Sequence, residues 1–436
     1  MNKKIKRFLL CIFINMLILT ISCSKNNNVT KQQDSLKGEV KLVTEKKYAE
    51  QLKIAAEKFK KIHPRVNIEI KIENNIKDKV IDTTNSGESS IDIINSGESS
   101  IDIINMEDQN LQYFINKYPE FALDLTEFVS SYKDKILKAR LENAAVKNKI
   151  YGIPWNVSPK AILYRSDVLL NEKINVDDVK TWNDYIAVGE SVSKNTGRKF
   201  LVNVQDESND LNMVLANQLG VSYFNKDGKI DFNSKEWLKT METIKALYSQ
   251  GIMYDISSKN EFISLAKEDS VVSIIADPLY ASELMRSIPE DKDKWSIMKL
   301  PAFEAGGNRD SSVGGANLMI NKNSTNIDLT KKFVQFIVTD EDIQMEMLNV
   351  YGNFPANIYI YTLVNFNSIV DYFNAKVWNV FSSSEKKSFS VNYTKDFPIV
   401  KDVIKNTLTQ SNVKEKDIKL ILDSLQKDCD NKILKK

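Results

Sequence analysis

The sequence predicts an α/β protein whose lobes are interleaved along the chain. Three observations lead there. A strand, a helix and a second strand follow one another over residues 40–72. Strand and helix patterns then alternate to the C-terminus, and no low-complexity linker divides them. A chain of 436 residues corresponds to two or three domains at roughly 150 residues each.

Val40-Lys41-Leu42-Val43 is a short apolar run and reads as a buried strand. Leu52, Ala55, Phe59 and Ile62 recur at helical spacing, which predicts a helix over 47–62. His63-Pro64 stops it, because proline disfavours helix in the residue before it. His63 is expected to be solvated or to cap that helix. Residues 66–72, Val-Asn-Ile-Glu-Ile-Lys-Ile, alternate with period two and read as a strand. This βαβ unit implies a parallel sheet with a right-handed crossover.

An identical decapeptide then occurs twice, at 85–94 and 95–104. Each copy holds a Ser-Gly turn and an Ile-Asp-Ile-Ile run. Two copies are too few for a solenoid. One sheet position accepts one copy. The second runs straight into the polar Asn105-Met106-Glu107-Asp108, so the core strand is assigned to it. The first copy is expected to be a surface insertion, which loop entropy tolerates.

Strands are expected at 200–204, 271–275 and 318–320. Asn233 stands three residues before Glu236, like a capping box, and Trp237, Met241, Ile244 and Tyr248 come next at helical spacing. Gly251 closes that helix, and its Trp and Met are core residues. A further helix is expected over 326–339, with helical stretches at 367–381 and 413–433.

Composition excludes several function classes. One His, His63, leaves no Ser-His-Asp, Cys-His or multi-His metal chemistry. No Gly falls in a phosphate-loop pattern. Sixty basic side chains balance 58 acidic ones, without the basic excess that nucleic-acid binding needs. No metal or other cofactor is expected.

The N-terminus reads as an export signal. Lys3, Lys4, Lys6 and Arg7 precede an apolar run over 8–21, too short for a transmembrane helix but suited to a secretory signal. Losing these four cations takes the formal charge from +2 to −2. Leu19-Thr20-Ile21-Ser22-Cys23, with a polar stretch after it, resembles a bacterial lipoprotein signal. That resemblance implies a signal peptide over 1–22, lipidation at Cys23 and a flexible tether over 23–37. Thr20 stands where the usual Leu would be. Cys11 leaves with the signal, Cys23 carries lipid, and Cys429 has no partner for a disulfide.

Several stretches together resemble the family 1 extracellular solute-binding proteins of bacterial ABC sugar importers. They are Tyr151-Gly152-Ile153-Pro154-Trp155-Asn156; Leu163-Tyr164-Arg165-Ser166-Asp167; Thr181-Trp182-Asn183-Asp184; Asp227-Gly228-Lys229; Leu300-Pro301 with Gly306-Gly307 and Gly314-Gly315; and Tyr351-Gly352-Asn353-Phe354-Pro355. They occur in the family's order. The resemblance implies a two-lobed periplasmic-binding-protein fold with a hinge and an inter-lobe cleft. It maps lobe one to 38–155 plus 312–345 and lobe two to 156–311 plus 346–436. It implies an exported, lipid-anchored monomer that captures a carbohydrate and delivers it to permease subunits, without catalysis.

Sugar sites use aromatic faces and fixed hydrogen-bonding groups. By position after strands, the ligand-binding candidates are Glu45, Glu107, Asp108, Trp155, Asn156, Asn203, Asp206, Asp277, Tyr280, Gly314, Gly315 and Asn353. The chain departs from oligosaccharide binders where they stack rings. Met106 or an acid, the run Asp277-Pro278-Leu279-Tyr280, and Ser208 stand where aromatics are expected. That loss of stacking aromatics argues against a long maltodextrin-like ligand, and the retained acids suit a small polyol, a monosaccharide or disaccharide, or a cationic solute; the carbohydrate implied by the resemblance is a small sugar, an oligosaccharide or a polyol. Two other functions stay open on the residues alone: a surface lipoprotein acting as sensor or adhesin, and a two-carboxylate glycosidase.

Overall fold

The computed structural model describes residues 36–73, 76, 101–205 and 210–435. Two five-stranded sheets dominate. The first has the order β2-β1-β3-β12-β6, formed by β1 (Gly38–Thr44), β2 (Val66–Ile72), β3 (Ile103–Glu107), β6 (Ile153–Pro159) and β12 (Ser312–Ile320). A two-residue hairpin, β4 (Ala145–Val146) and β5 (Lys149–Ile150), precedes β6. The second sheet has the order β11-β7-β10-β8-β9, formed by β7 (Ala161–Arg165), β8 (Lys199–Val204), β9 (Met253–Ile256), β10 (Val271–Ala276) and β11 (Trp295–Met298).

Both sheets are mixed, not parallel as expected. β1 runs parallel to β2 and β3, and β8 parallel to β9 and β10. The strands at each sheet's crossing points, β12 and β6 in one and β7 and β11 in the other, pair antiparallel. A chain that leaves one sheet and returns must re-enter it reversed unless a full crossover intervenes. β6 ends at Pro159 and β7 begins at Ala161, so Lys160 alone separates the two sheets there. Residues 299–311 carry the chain back from β11 to β12.

α1 (Lys46–Ile62) buries Tyr48, Leu52, Ala55 and Phe59 on the first sheet. α2 (Asp108–Lys117) continues from β3 without a loop. Then come α3 (Lys138–Asn143), α4 (Trp182–Thr196), α5 (Leu211–Gln218), α6 (Lys235–Ser249), α7 (Pro278–Ser287), α8 (Ile327–Thr339), α9 (Glu341–Tyr351), α10 (Val377–Lys387), α11 (Phe397–Thr407), α12 (Gln410–Glu415) and α13 (Ile418–Leu434). Among them α4 has a reciprocal capping box, Thr181 with Asp184. α6 is capped by Ser234 and not by Asn233, since the Ser234 hydroxyl accepts from the Trp237 amide. Gly251 comes just after its last turn at φ +69°, as expected.

The second copy of the repeat supplies β3. Asp102 accepts from the Lys41 amide at 2.8 Å and from the Ser324 hydroxyl, which anchors the strand's start. The first copy, the signal segment and Cys23 lie outside the described residues. The helical stretch expected over 367–381 begins only at Val377. Before it, Val370 and Ala375 pair across a turn in which Asn374 has φ +48°. The stretch over 413–433 is broken at Lys416 and restarts under an Asp417 cap, whose side chain accepts from the Leu420 amide.

Candidate functional site

Strand ends from both sheets meet at a small cavity of about 30 Å³, room for roughly one water. Its lining comes from five places. Lys47 and Tyr48 open α1; Glu107, Asp108 and Gln109 join β3 to α2; Asn156, Val157 and Ser158 lie on β6. Asp277, Pro278 and Leu279 start α7, and Val313, Gly314 and Gly315 lie on β12, with Gly352 and Asp210 at the margin.

The carboxylates here are engaged. Glu107 accepts from the Lys47 ammonium and, at 3.3 Å, from Gln109 Nε2. Asp108 accepts from Arg140 Nη1 at 3.0 Å and from Asn317 Nδ2 at 2.6 Å. Asp277 accepts from Lys160 Nζ at 3.3 Å, from Ser158 Oγ at 3.0 Å and from the Leu279 amide at 3.0 Å. Each of these three acids therefore holds a cation of the chain itself. Burial pushes the Asp108 carboxyl above the usual carboxylate range, against the pull of Arg140 and Asn317. Burial works against the Lys47 ammonium, but Glu107, Tyr48 and Glu45 outweigh it and hold its pKa well above the ordinary lysine value.

Glycine is required at the wall. Gly315 has φ +139°, and a Cβ there would stand 2.7 Å from the Asn156 carbonyl and 2.9 Å from Asp108 Oδ2. Gly352 has φ +68°, and a Cβ there would overlap the Pro278 carbonyl.

A second cavity of about 440 Å³ adjoins the first, with Gln109 and Asp210 lining both. Its volume is that of a small-ligand pocket. Asn203, Gln205 and Asp255 project from the ends of β8 and β9, Tyr248 from α6, and Phe397 and Lys401 from α11. Asp210 caps α5 by accepting from the Met213 amide and also takes the Tyr223 hydroxyl. Burial pushes its carboxyl upward.

Of the residues expected to bind ligand, Glu107, Asp108, Asn156, Asp277, Gly314 and Gly315 line the small cavity, and Asn203 lines the large one. Asn353 is fully buried and accepts from Asn156 Nδ2 at 2.8 Å, one layer behind the wall. Glu45 stands at the N-terminal boundary of α1 without a capping side-chain hydrogen bond and pairs with Lys47 at 3.4 Å, outside both linings. Asp206 and Ser208 lie outside the described residues.

Trp155 and Tyr280 are corrections. Trp155 is fully buried in the core of the first sheet. Its indole N–H donates to Asn105 Oδ1 at 2.9 Å, and its ring meets Tyr48 edge-on at 5.8 Å. It supports the aromatic that lines the cavity and does not line it. Tyr280 packs edge-on against Phe262 in the core of the second sheet. Alternation explains Trp155, since successive residues of a strand face opposite sides of the sheet, and the helical turn of about 100° per residue carries Tyr280 round from Leu279 toward the core.

Lys47, Tyr48, Gln109, Asp210, Tyr248, Asp255 and Lys401 line the two cavities and are absent from the candidates read from sequence. Lys47 and Tyr48 carried a signal, since they lie in the first turn of the helix that follows the first strand. Asp255 carried little, because β9 is only four residues long. Among the described residues no cluster of three or more His, Cys, Asp or Glu could hold a metal ion. None of their helices is long and apolar enough to cross a membrane.

Comparison with known proteins adds three findings. The sequence model of the family described as bacterial extracellular solute-binding protein matches residues 55–368. The arabinooligosaccharide-binding protein of Bacillus subtilis (strain 168) is 28% identical over 258 residues, 57% of this chain and 59% of that protein. The lactose-binding protein of Rhizobium radiobacter is 22% identical over 294 residues, 66% of this chain and 69% of that protein. The match thus spans less than two thirds of the Bacillus relative's length. Among solved structures, the sugar-binding protein MalE from Xanthomonas citri superposes with a TM-score of 0.74 at 16% identity, covering 91% of this chain and 98% of that one. The galacto-N-biose-/lacto-N-biose I-binding protein of the ABC transporter from Bifidobacterium longum gives 0.73 at 15%, covering 92% and 98%. At such identities the structures establish a shared fold.

Proposed function

The chain belongs to the bacterial extracellular solute-binding proteins, and we propose that it is the solute-capturing component of an ABC importer for a neutral carbohydrate. One observation carries this reading: strand ends of two sheets converge on adjoining cavities lined with pre-positioned acceptors and amides. Such groups discriminate hydroxyl patterns, because a missing hydroxyl leaves a buried group unpaired. The paired state of Glu107, Asp108 and Asp277 favours an uncharged solute over a cationic one. Their acceptor geometry is retained while each is already paired with a cation of the chain, Lys47, Arg140 or Lys160.

The names of the relatives direct the choice of ligand toward arabinooligosaccharides and lactose. In this reading the lobes are 38–155 plus 312–345 and 156–311 plus 346–436, hinged at the sheet crossings. The relatives named are binding proteins, and the chain binds without catalysis. Residues 1–22 act as export signal, Cys23 carries the lipid that holds the protein at the membrane, and permease subunits receive the solute.

The test is a thermal-shift panel of arabinotriose, lactose, maltotriose, spermidine and galacturonate, and then calorimetry. A neutral saccharide at 100 times its Kd should stabilise the fold by about 2.7 kcal/mol. Stabilisation by spermidine or galacturonate alone, or by nothing in the panel, would refute the reading.

A further inference from the structure

Asp255 differs from the other carboxylates of the site in how it is held. It stands opposite Asn203 in the parallel register of β8 and β9. Three neutral donors converge on one of its oxygens: Asn203 Nδ2 at 2.8 Å, Gln205 Nε2 at 2.7 Å and Tyr248 Oη at 2.8 Å, all to Oδ1. Among the described residues none donates to Oδ2, and no cation pairs with the group within 4 Å. The carboxylate is half-buried and lines the 440 Å³ cavity.

Three donors on one oxygen fix the plane of the group and saturate that oxygen, since a carboxylate accepts about four hydrogen bonds in all. The second oxygen is left as an oriented acceptor that carries charge. Nothing in the described fold uses it. A hydroxyl donating to it makes a charge-assisted bond, stronger than one between neutral groups. Among the described residues the same cavity is lined by two acids, Asp210 and Asp255, and two bases, Lys401 and Lys405.

We propose that Asp255 is a specificity-determining acceptor of the larger cavity, with Oδ2 taking hydroxyl hydrogens of a neutral sugar unit and Asn203, Gln205 and Tyr248 acting as positioning residues. The proposal rests on the carbohydrate reading of the site. It concerns a residue outside the expected set, and it places the solute's discriminating contact in the large cavity.

Calorimetry of the full chain tests it, with arabinotriose, lactose and maltotriose titrated into the wild type and into Asp255→Asn. The variant keeps an oxygen for the three donors and turns the other position into an amide donor. Affinity for whichever saccharide binds should fall roughly 10- to 100-fold, as expected for loss of a charge-assisted bond. The ligand-free melting temperature should move little. Tyr248→Phe, which leaves the carboxylate in place but removes one holder, should weaken binding by a smaller factor. It also keeps the proposal testable if Asp255→Asn does not fold. Unchanged affinity in Asp255→Asn, or in Tyr248→Phe and Gln205→Ala should that variant not fold, overturns the assignment. Failure of the wild type to bind any of the three saccharides instead overturns the carbohydrate reading itself.

Discussion

Lys160 is fully buried between the last residue of one sheet and the first residue of the other. Asp277 is the carboxylate that balances it, and the same side chain caps α7. An ammonium so placed is tolerated only while a charge and hydrogen bonds answer it. Asp277→Ala therefore does more than remove a ligand contact. It removes the carboxylate paired with a buried ammonium and uncaps a helix, and should cost about 3–5 kcal/mol in the ligand-free protein. Urea unfolding of the variant checks this, and a loss below about 1 kcal/mol would show that water reaches Lys160. The sequence reading names Asp277 as a ligand-binding candidate and assigns it no structural role. Asp277 lines the small cavity, but sequence had no means of showing Lys160 beside it, because 117 residues separate the two. Trp155 fails for the opposite reason. The motif that singles it out spans both faces of β6, and one-residue alternation turns Trp155 inward.

At the level of elements, Arg140 joins parts of the chain that lie far apart in sequence. Its guanidinium donates through Nε and Nη2 to both oxygens of Glu385 on α10, each at 2.8 Å. Nη2 also reaches Ser312 Oγ on β12 at 2.6 Å, and Nη1 reaches the Gly314 carbonyl and Asp108 on α2, each at 3.0 Å. Two helices and the returning strand are thus fixed around one planar fork, and two of the groups held, Asp108 and Gly314, line the small cavity. Arg140→Met leaves Asp108 and Glu385 buried without a cation and should destabilise by about 3–5 kcal/mol. Arg140→Lys keeps the charge but cannot span the bidentate geometry, and should fall between the two. Denaturant midpoints rank the three proteins, and equal stability of Lys and Arg would show that charge alone matters. Elements with a clean period were legible: β1, α1, β2, α6 and α8 appear within two residues of their expected bounds. β6 was hidden by Pro154 and Pro159, which argue against a strand. It tolerates them because it lies at the edge of its sheet.

At the level of the whole molecule, the sheet order decides what the repeated decapeptide can do. β3 lies in the interior of the first sheet, with β1 on one side and β12 on the other. Both of its edges are paired, so the slot admits one Ile-Asp-Ile-Ile run and no more. The second copy fills it, with Ile103 and Ile104 buried and Asp102 tied to Lys41 and Ser324. The alternation of strands and helices made the interleaved α/β architecture readable from sequence. The repeat could be assigned because only its second copy runs into the polar Asn105-Met106-Glu107-Asp108. The antiparallel crossing strands could not be assigned, since register and direction depend on partners more than a hundred residues away. Deleting residues 85–94 joins residue 84 to an identical decapeptide, so β3 and its anchor can form from the same residues as before. The connection from β2 to β3 becomes shorter by ten residues, a change worth less than about 0.6 kcal/mol in loop-closure entropy. In a chain of this size that is a shift of no more than about 2 °C in melting temperature. Scanning calorimetry of the deletion variant measures it directly, together with its affinity for the saccharide bound by the wild type. A fall of 10 °C or more would mean that the first copy takes part in the folded core, and that the single-slot argument is wrong.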